Sequence, residues 1–141
     1  MPAVYEGHGL RFMYPENWQL DVQPGESVVT ISVQSPSTAF WMITLFEGQA
    51  AAGDVAAEAL SALRDDYPEL DADEARETLA GHPAVGHDIS FVSLDLTNTC
   101  WTRAFRAPPT TFLVIFQTND RELPQSELVL RAISKSLTLQ P

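Results

Sequence analysis

The chain has 141 residues, of which 45% are hydrophobic and 19% charged, a composition that argues for a globular domain and against a disordered one. Eight Lys and Arg stand against 19 Asp and Glu, a net charge of −11. That argues against nucleic acid and anionic membrane surfaces as partners, since both need clustered cations. A length near ~150 residues is the prior for one domain, and residues 1–141 are read as one, with no internal repeat and no long linker.

The N-terminus, Met1-Pro2-Ala3-Val4-Tyr5-Glu6, has no basic region followed by an apolar one, so no secretory signal is expected. No run approaches the ~18 apolar residues of a membrane span. Cys100 is the sole cysteine, so no intrachain disulfide can form. The expected setting is the cytoplasm.

Leu10 to Tyr14 is a short apolar strand stopped by Pro15. A turn at Glu16-Asn17 leads into Trp18 to Val22, which alternates with period two. After Pro24-Gly25-Glu26, Val29, Ile31 and Val33 alternate with polar neighbours as a half-buried strand. Phe40 to Phe46 is apolar at nearly every position, which predicts a central strand covered on both faces. Asp54 is placed as the N-cap of a helix whose apolar positions are Val55, Ala56, Ala59, Leu60 and Leu63, closed by Pro68. Asp65 to Glu77 carries seven acids against Arg76 alone and is read as a solvated loop.

A turn at Gly81-His82-Pro83 opens a meander. Its strands are Ala84 to Leu96, Cys100 to Ala107 after a turn at Asn98, and Thr111 to Thr118 after Pro108-Pro109. Asn119-Asp120 caps a short turn before Pro124. A last helix, from about Ser126 to Leu137, presents Leu128, Val129, Ala132, Ile133 and Leu137 as its buried stripe. The fold class is therefore α+β, an antiparallel sheet of about six to seven strands with helices packed on both faces.

Tyr14-Pro15-Glu16-Asn17-Trp18 after a short apolar strand is similar to the Tyr-Pro-x-x-Trp signature of PsbP-like proteins. The resemblance extends to a helix after the early strands and a Gly-x-Pro-Ala turn, here Gly81-His82-Pro83-Ala84. It continues through a three-strand meander to a final helix ending in Ser136-Leu137. That family includes photosystem extrinsic proteins, the Ran-binding import factor family and bacterial chaperones of type VI secretion effectors. The resemblance implies an αβα sandwich and a non-catalytic adaptor or chaperone for a protein partner, with no cofactor. With no export signal expected, a luminal role like that of the photosystem branch is not expected.

Few residues suggest chemistry. His82 and His87, with Asp88 beside the latter, are two imidazoles and a carboxylate, but zinc wants three or four ligands at closer spacing. They are read as a turn histidine and a surface pair, and no metal is expected. Cys100 with His87 as base would make a thiol nucleophile, but no Gly-rich elbow or helix N-terminus lies nearby to activate it. The alternative to a binding module is thus a small hydrolase or metal-dependent enzyme using His87, Asp88 and Cys100. A third possibility is a homodimer through an exposed strand edge.

Trp18 is read as a core plug. Trp101, Arg103 and Phe105 share one strand face, either as a binding surface with Arg103 stacked on a ring or as a helix-covered face with Arg103 reaching outward. In the acidic stretch, Asp71, Asp73 and Glu74 are the candidates for steering a partner with a basic or apolar face.

Overall fold

The computed structural model describes residues 2–140. Two antiparallel strands, β1 (Pro2–Gly7) and β2 (Leu10–Pro15), open the chain, followed by β3 (Gln19–Gln23), β4 (Val28–Gln34) and β5 (Phe40–Glu47). Helix α1 (Ala52–Asp66) leads to a four-strand meander, β6 (Asp71–Leu79), β7 (His82–Ser93), β8 (Leu96–Ala107) and β9 (Thr110–Asn119). Helix α2 (Leu123–Ser136) and a two-residue β10 (Thr138–Leu139) end it. The main sheet has seven strands in the order β3-β4-β5-β9-β8-β7-β6, and a small sheet has the order β1-β2-β10. The α+β class and the antiparallel sheet expected from the sequence are what the structure shows.

The topology contains one long crossover. Strand β5 does not pair with its successor β6; α1 carries the chain to the far edge, and the meander returns until β9 closes against β5. Alternation along β8 and β9 separates two layers of core. Trp101, Phe105, Phe112, Val114 and Phe116 join a cluster with Leu10 and Phe12 of β2 and with Leu130, Ile133 and Leu137 at the end of the chain. Ala104 and Leu113 pack instead with Val55 and Ala56 of α1, and Cys100 with Ile89, Phe91 and Leu70.

The structure adds a strand that the sequence reading did not assign and corrects several expectations. Pro2 to Gly7 is a strand, and Gly7-His8-Gly9 is its hairpin end: His8 and Gly9 take φ of 51° and 77°, the left-handed pair of a tight hairpin turn. Asp54 is not the N-cap of α1. Ala51 is, without a side-chain cap, and Asp54 sits in the first turn where its charge still favours the helix dipole. The turn expected at Asn98 falls at Leu94-Asp95, and Asn98 lies within β8 opposite Phe91.

The acidic stretch is not one loop. Asp65 and Asp66 end α1, and Asp71 to Leu79 is the edge strand β6. An edge strand needs only one paired side, and charges along it discourage further pairing, so acids and a strand are compatible there. Trp18 lies outside the strands and is half-buried against the main core rather than enclosed; its amide bonds the Pro15 carbonyl at 3.0 Å. In α2 the buried residues are Leu130, Ile133 and Ser134, whereas Leu128 and Ala132 of the expected stripe are exposed.

Candidate functional site

The side of α2 that the sheet does not cover faces β2. Between them lies a groove of about 620 Å³, walled by Leu128, Val129, Ala132 and Ile133 of the helix and by Met13 to Pro15 of the strand, with Glu16 and Asn17 at one end. Leu128 is 73% exposed and Met13 38%. Large apolar side chains gathered in one concavity stand apart from ordinary surface scatter.

The groove is built from both ends of the chain, and its walls are tied together. The Ser136 hydroxyl accepts from the Met13 amide at 2.8 Å and lies 2.7 Å from the Ile133 carbonyl. Just beyond, Thr138 and Leu139 pair with Arg11 and Leu10 as the third strand of the small sheet. At the other end of α2, Glu122 receives hydrogen bonds from Thr38, Ser37 and Asn119, which hold its carboxyl below the ordinary glutamate range, the Thr38 hydroxyl first among them. These bonds anchor the start of α2 to the β4–β5 loop, so both ends of the helical wall are fixed.

The residues singled out in the sequence lie elsewhere. Trp101, Arg103 and Phe105 do share a face, but all three are buried. Arg131 of α2 lies over the Trp101 ring, 5.4 Å from its centroid. Phe105 stacks between Phe112 and His82, at 4.8 Å and 5.7 Å.

Arg103 does not reach outward. Its guanidinium donates to Glu77, to Asp88 at 2.7 Å, and to the carbonyls of Thr102 and His87 at 2.8 and 3.2 Å. Opposite it on β7 is Gly86, where a Cβ would lie 1.7 Å from the Thr102 carbonyl oxygen, so the strand admits only glycine. Asp71, Asp73 and Glu74 are exposed on the edge strand β6.

His87, Asp88 and Cys100 do not assemble into a reactive site. Asp88 is committed to Arg103 on one face of β7. His87 faces the opposite way, into a small cleft beside the first turns of α1. Cys100 is enclosed by Leu70, Ile89 and Phe91, and burial pushes its thiol up to about 12. A thiol nucleophile requires the reverse shift. Among the described residues, no group of three His, Cys, Asp or Glu side chains is placed to hold a metal ion.

Burial of Cys100 has a measurable consequence. In the folded protein the thiol should resist a thiol-reactive reagent at pH 8 and react at the rate of unfolding; fast stoichiometric labelling without unfolding would contradict its burial. Because folding raises this pKa, the neutral thiol's contribution to stability is complete below the ordinary thiol value. It is then lost as pH climbs toward about 12.

The groove residues were hidden in plain sight. Leu128, Val129, Ala132 and Ile133 are legible as an apolar helical stripe, but periodicity does not say whether the surface covering a stripe belongs to the same chain. The available signal is width. The apolar residues of α2, with Leu130 included, span more of the helix than one sheet contact can bury.

No protein-family model and no curated protein sequence matches the chain. Its fold does match solved structures. The cyanobacterial PsbP (CyanoP) of Synechocystis sp. PCC 6803 superposes with a TM-score of 0.72 at 11% identity, over 98% of this chain and 92% of the other. LpqN of Mycobacterium tuberculosis, involved in cell envelope biogenesis, gives 0.63 at 16% identity, over 100% and 90%. PA94 of Pseudomonas aeruginosa, a protein of unknown function, gives 0.58 at 16% identity, over 99% and 98%. The fold is thus PsbP-like, as the Tyr14 to Trp18 corner led one to expect. No helix among the described residues is long and apolar enough to cross a membrane.

Proposed function

We propose that this protein is a non-catalytic binding module, an adaptor or chaperone that seats an apolar segment of a protein partner between β2 and α2. The observation that carries this reading is the exposure of Leu128, at 73%, over a groove whose only charged lining residue among the described ones is Glu16. In this reading the sheet is a platform with α1 on one face and α2 on the other, and α2 offers its second apolar side to the partner. Two features support it over the hydrolase alternative: the raised thiol of Cys100 and the separation of His87 from Asp88 across β7. The net charge of −11 favours a partner whose flanks are basic. The exposed acids of edge strand β6 weigh against a homodimer through that edge.

The test is a photo-crosslinking amino acid placed at Leu128, and as a control at exposed Glu58, in cells of the native species. A protein adduct specific to position 128 is expected, and Leu128→Glu should weaken capture of that same partner about tenfold or more, as loss of a central apolar anchor does. Adducts that are identical from both positions would sink the proposal. So would native mass spectrometry showing a small molecule filling the groove.

A further inference from the structure

A second surface, separate from the groove, lies at the tip of the β7–β8 hairpin. Three hairpin turns in the described chain place both turn residues in the left-handed region: His8-Gly9 at φ 51° and 77°, Ala80-Gly81 at 51° and 80°, and Leu94-Asp95 at 53° and 63°. The first two end in glycine, which adopts that backbone freely. The third uses a leucine and an aspartate, which pay steric strain there. Nothing in the fold repays it, because Leu94 is 93% exposed. Val92, near the end of β7, is 66% exposed.

Beside Val92 a cleft of about 550 Å³ opens between β7 and the segment joining α1 to β6. Apolar side chains enter its lining: Leu70, and Tyr67 stacked on Phe91 at 4.2 Å. Its charged lining residues are Asp66, Glu69 and Asp71, all exposed and none in an ion pair within the described chain. No Lys or Arg among the described residues lines it. The two chemistries are therefore adjacent: an apolar tip and cleft wall, and a rim of uncompensated carboxylates.

We infer that this hairpin tip and its cleft dock a partner peptide carrying a large apolar side chain flanked by Lys or Arg. The apolar residue packs on Leu94, Val92 and the cleft wall, removing from water the side chains the fold leaves there. The flanking cations meet Asp66, Glu69 and Asp71. Rim charges of this kind set encounter rate and partner choice more than affinity, so binding is salt-dependent. The inference does not depend on the β2–α2 groove.

The experiment uses a short fluorescein-labelled peptide with a Leu-Leu-Trp centre flanked by Lys and Arg, and the same centre flanked by Glu. Fluorescence anisotropy measures binding, and amide NMR of the full chain locates it. The basic peptide is expected to bind, to shift the resonances of Tyr67 to Asp71 and Val92 to Thr97, and to bind more weakly as salt rises. The double change Leu94→Asn with Asp95→Gly gives the turn its preferred residues, so the fold should be as stable or more so. Peptide affinity should nevertheless fall about tenfold, the loss typical of a truncated hot spot. The groove variant Leu128→Glu should bind the peptide unchanged.

Equal binding of the acidic and basic peptides would overturn the inference, as would unchanged affinity in the turn variant. Resonance shifts confined to α2 and β2 would assign the peptide to the groove instead. Concentration-dependent self-association that the turn variant abolishes would give the tip to a second copy of the chain.

Discussion

Replacing Glu77 with Gln and Asp88 with Asn together is expected to cost about 3–5 kcal/mol of folding stability, the range for stranding a buried charge. Both carboxylates lie near the surface, with side chains 34% and 46% exposed, yet the group they compensate is enclosed: Arg103 is 4% exposed. The cost of breaking such a cluster depends on which member remains. Without the two acids, the guanidinium stays buried against two carbonyl groups and has no counter-charge. Arg103→Met leaves the acids instead, and water reaches both. A buried ion pair replaced by an apolar side chain of similar length is often nearly neutral, so this variant should lose only about 1 kcal/mol. Urea melts of the two variants decide the matter. If Arg103→Met proves the more damaging, the cluster stabilises mainly through attraction, and the desolvation argument fails.

The contrast between Arg103 as read in sequence and as folded shows what a sequence conveys. Period-two alternation in β3, β4 and β8 and the apolar-rich runs of β5 and β9 were legible because side-chain direction in a strand depends only on the local backbone. Arg103 was correctly placed on the face of Trp101 and Phe105, but its burial depends on register. Only the pairing of β8 with β7, and of β7 with β6, brings Asp88 and Glu77 within reach. Strand β6 was unreadable for a related reason. Its acids look like a loop until the strand is known to lie at an edge, where charge is tolerated. Strand β1 has a weak alternating pattern and begins at Pro2, and its existence depends on the His8-Gly9 turn that folds it onto β2. For the candidate site, the helical wall was visible as apolar spacing. Its exposure was not, because nothing local distinguishes a stripe that meets the sheet from one left for a partner.

Trp41→Ala is expected to cost about 3–5 kcal/mol and to weaken partner capture in the β2–α2 groove as well, although Trp41 does not line that groove. The indole is fully enclosed within the main core. Its ring lies 4.7 Å from that of Phe12 on β2, and its N–H donates to the Ser134 hydroxyl of α2 at 2.9 Å. One side chain of β5 thus fixes the spacing of the two elements that wall the groove. Truncation removes one of the two tryptophans buried in the main core and also strands the Ser134 hydroxyl. Trp41→Phe separates these effects: it keeps most of the ring, loses the hydrogen bond, and should cost about 1–3 kcal/mol. Trp18→Ala is the control, since a half-buried indole at the β2–β3 corner should lose about 2 kcal/mol or less, below the range for an enclosed one. Denaturant melts measure all three, and hydrogen exchange in α2 reports whether the helix has loosened. Equal costs at positions 18 and 41 would show that the corner carries as much of the core as β5 does. Normal partner capture by a folded Trp41→Ala protein whose α2 amides exchange faster would show that the groove does not require a rigid wall.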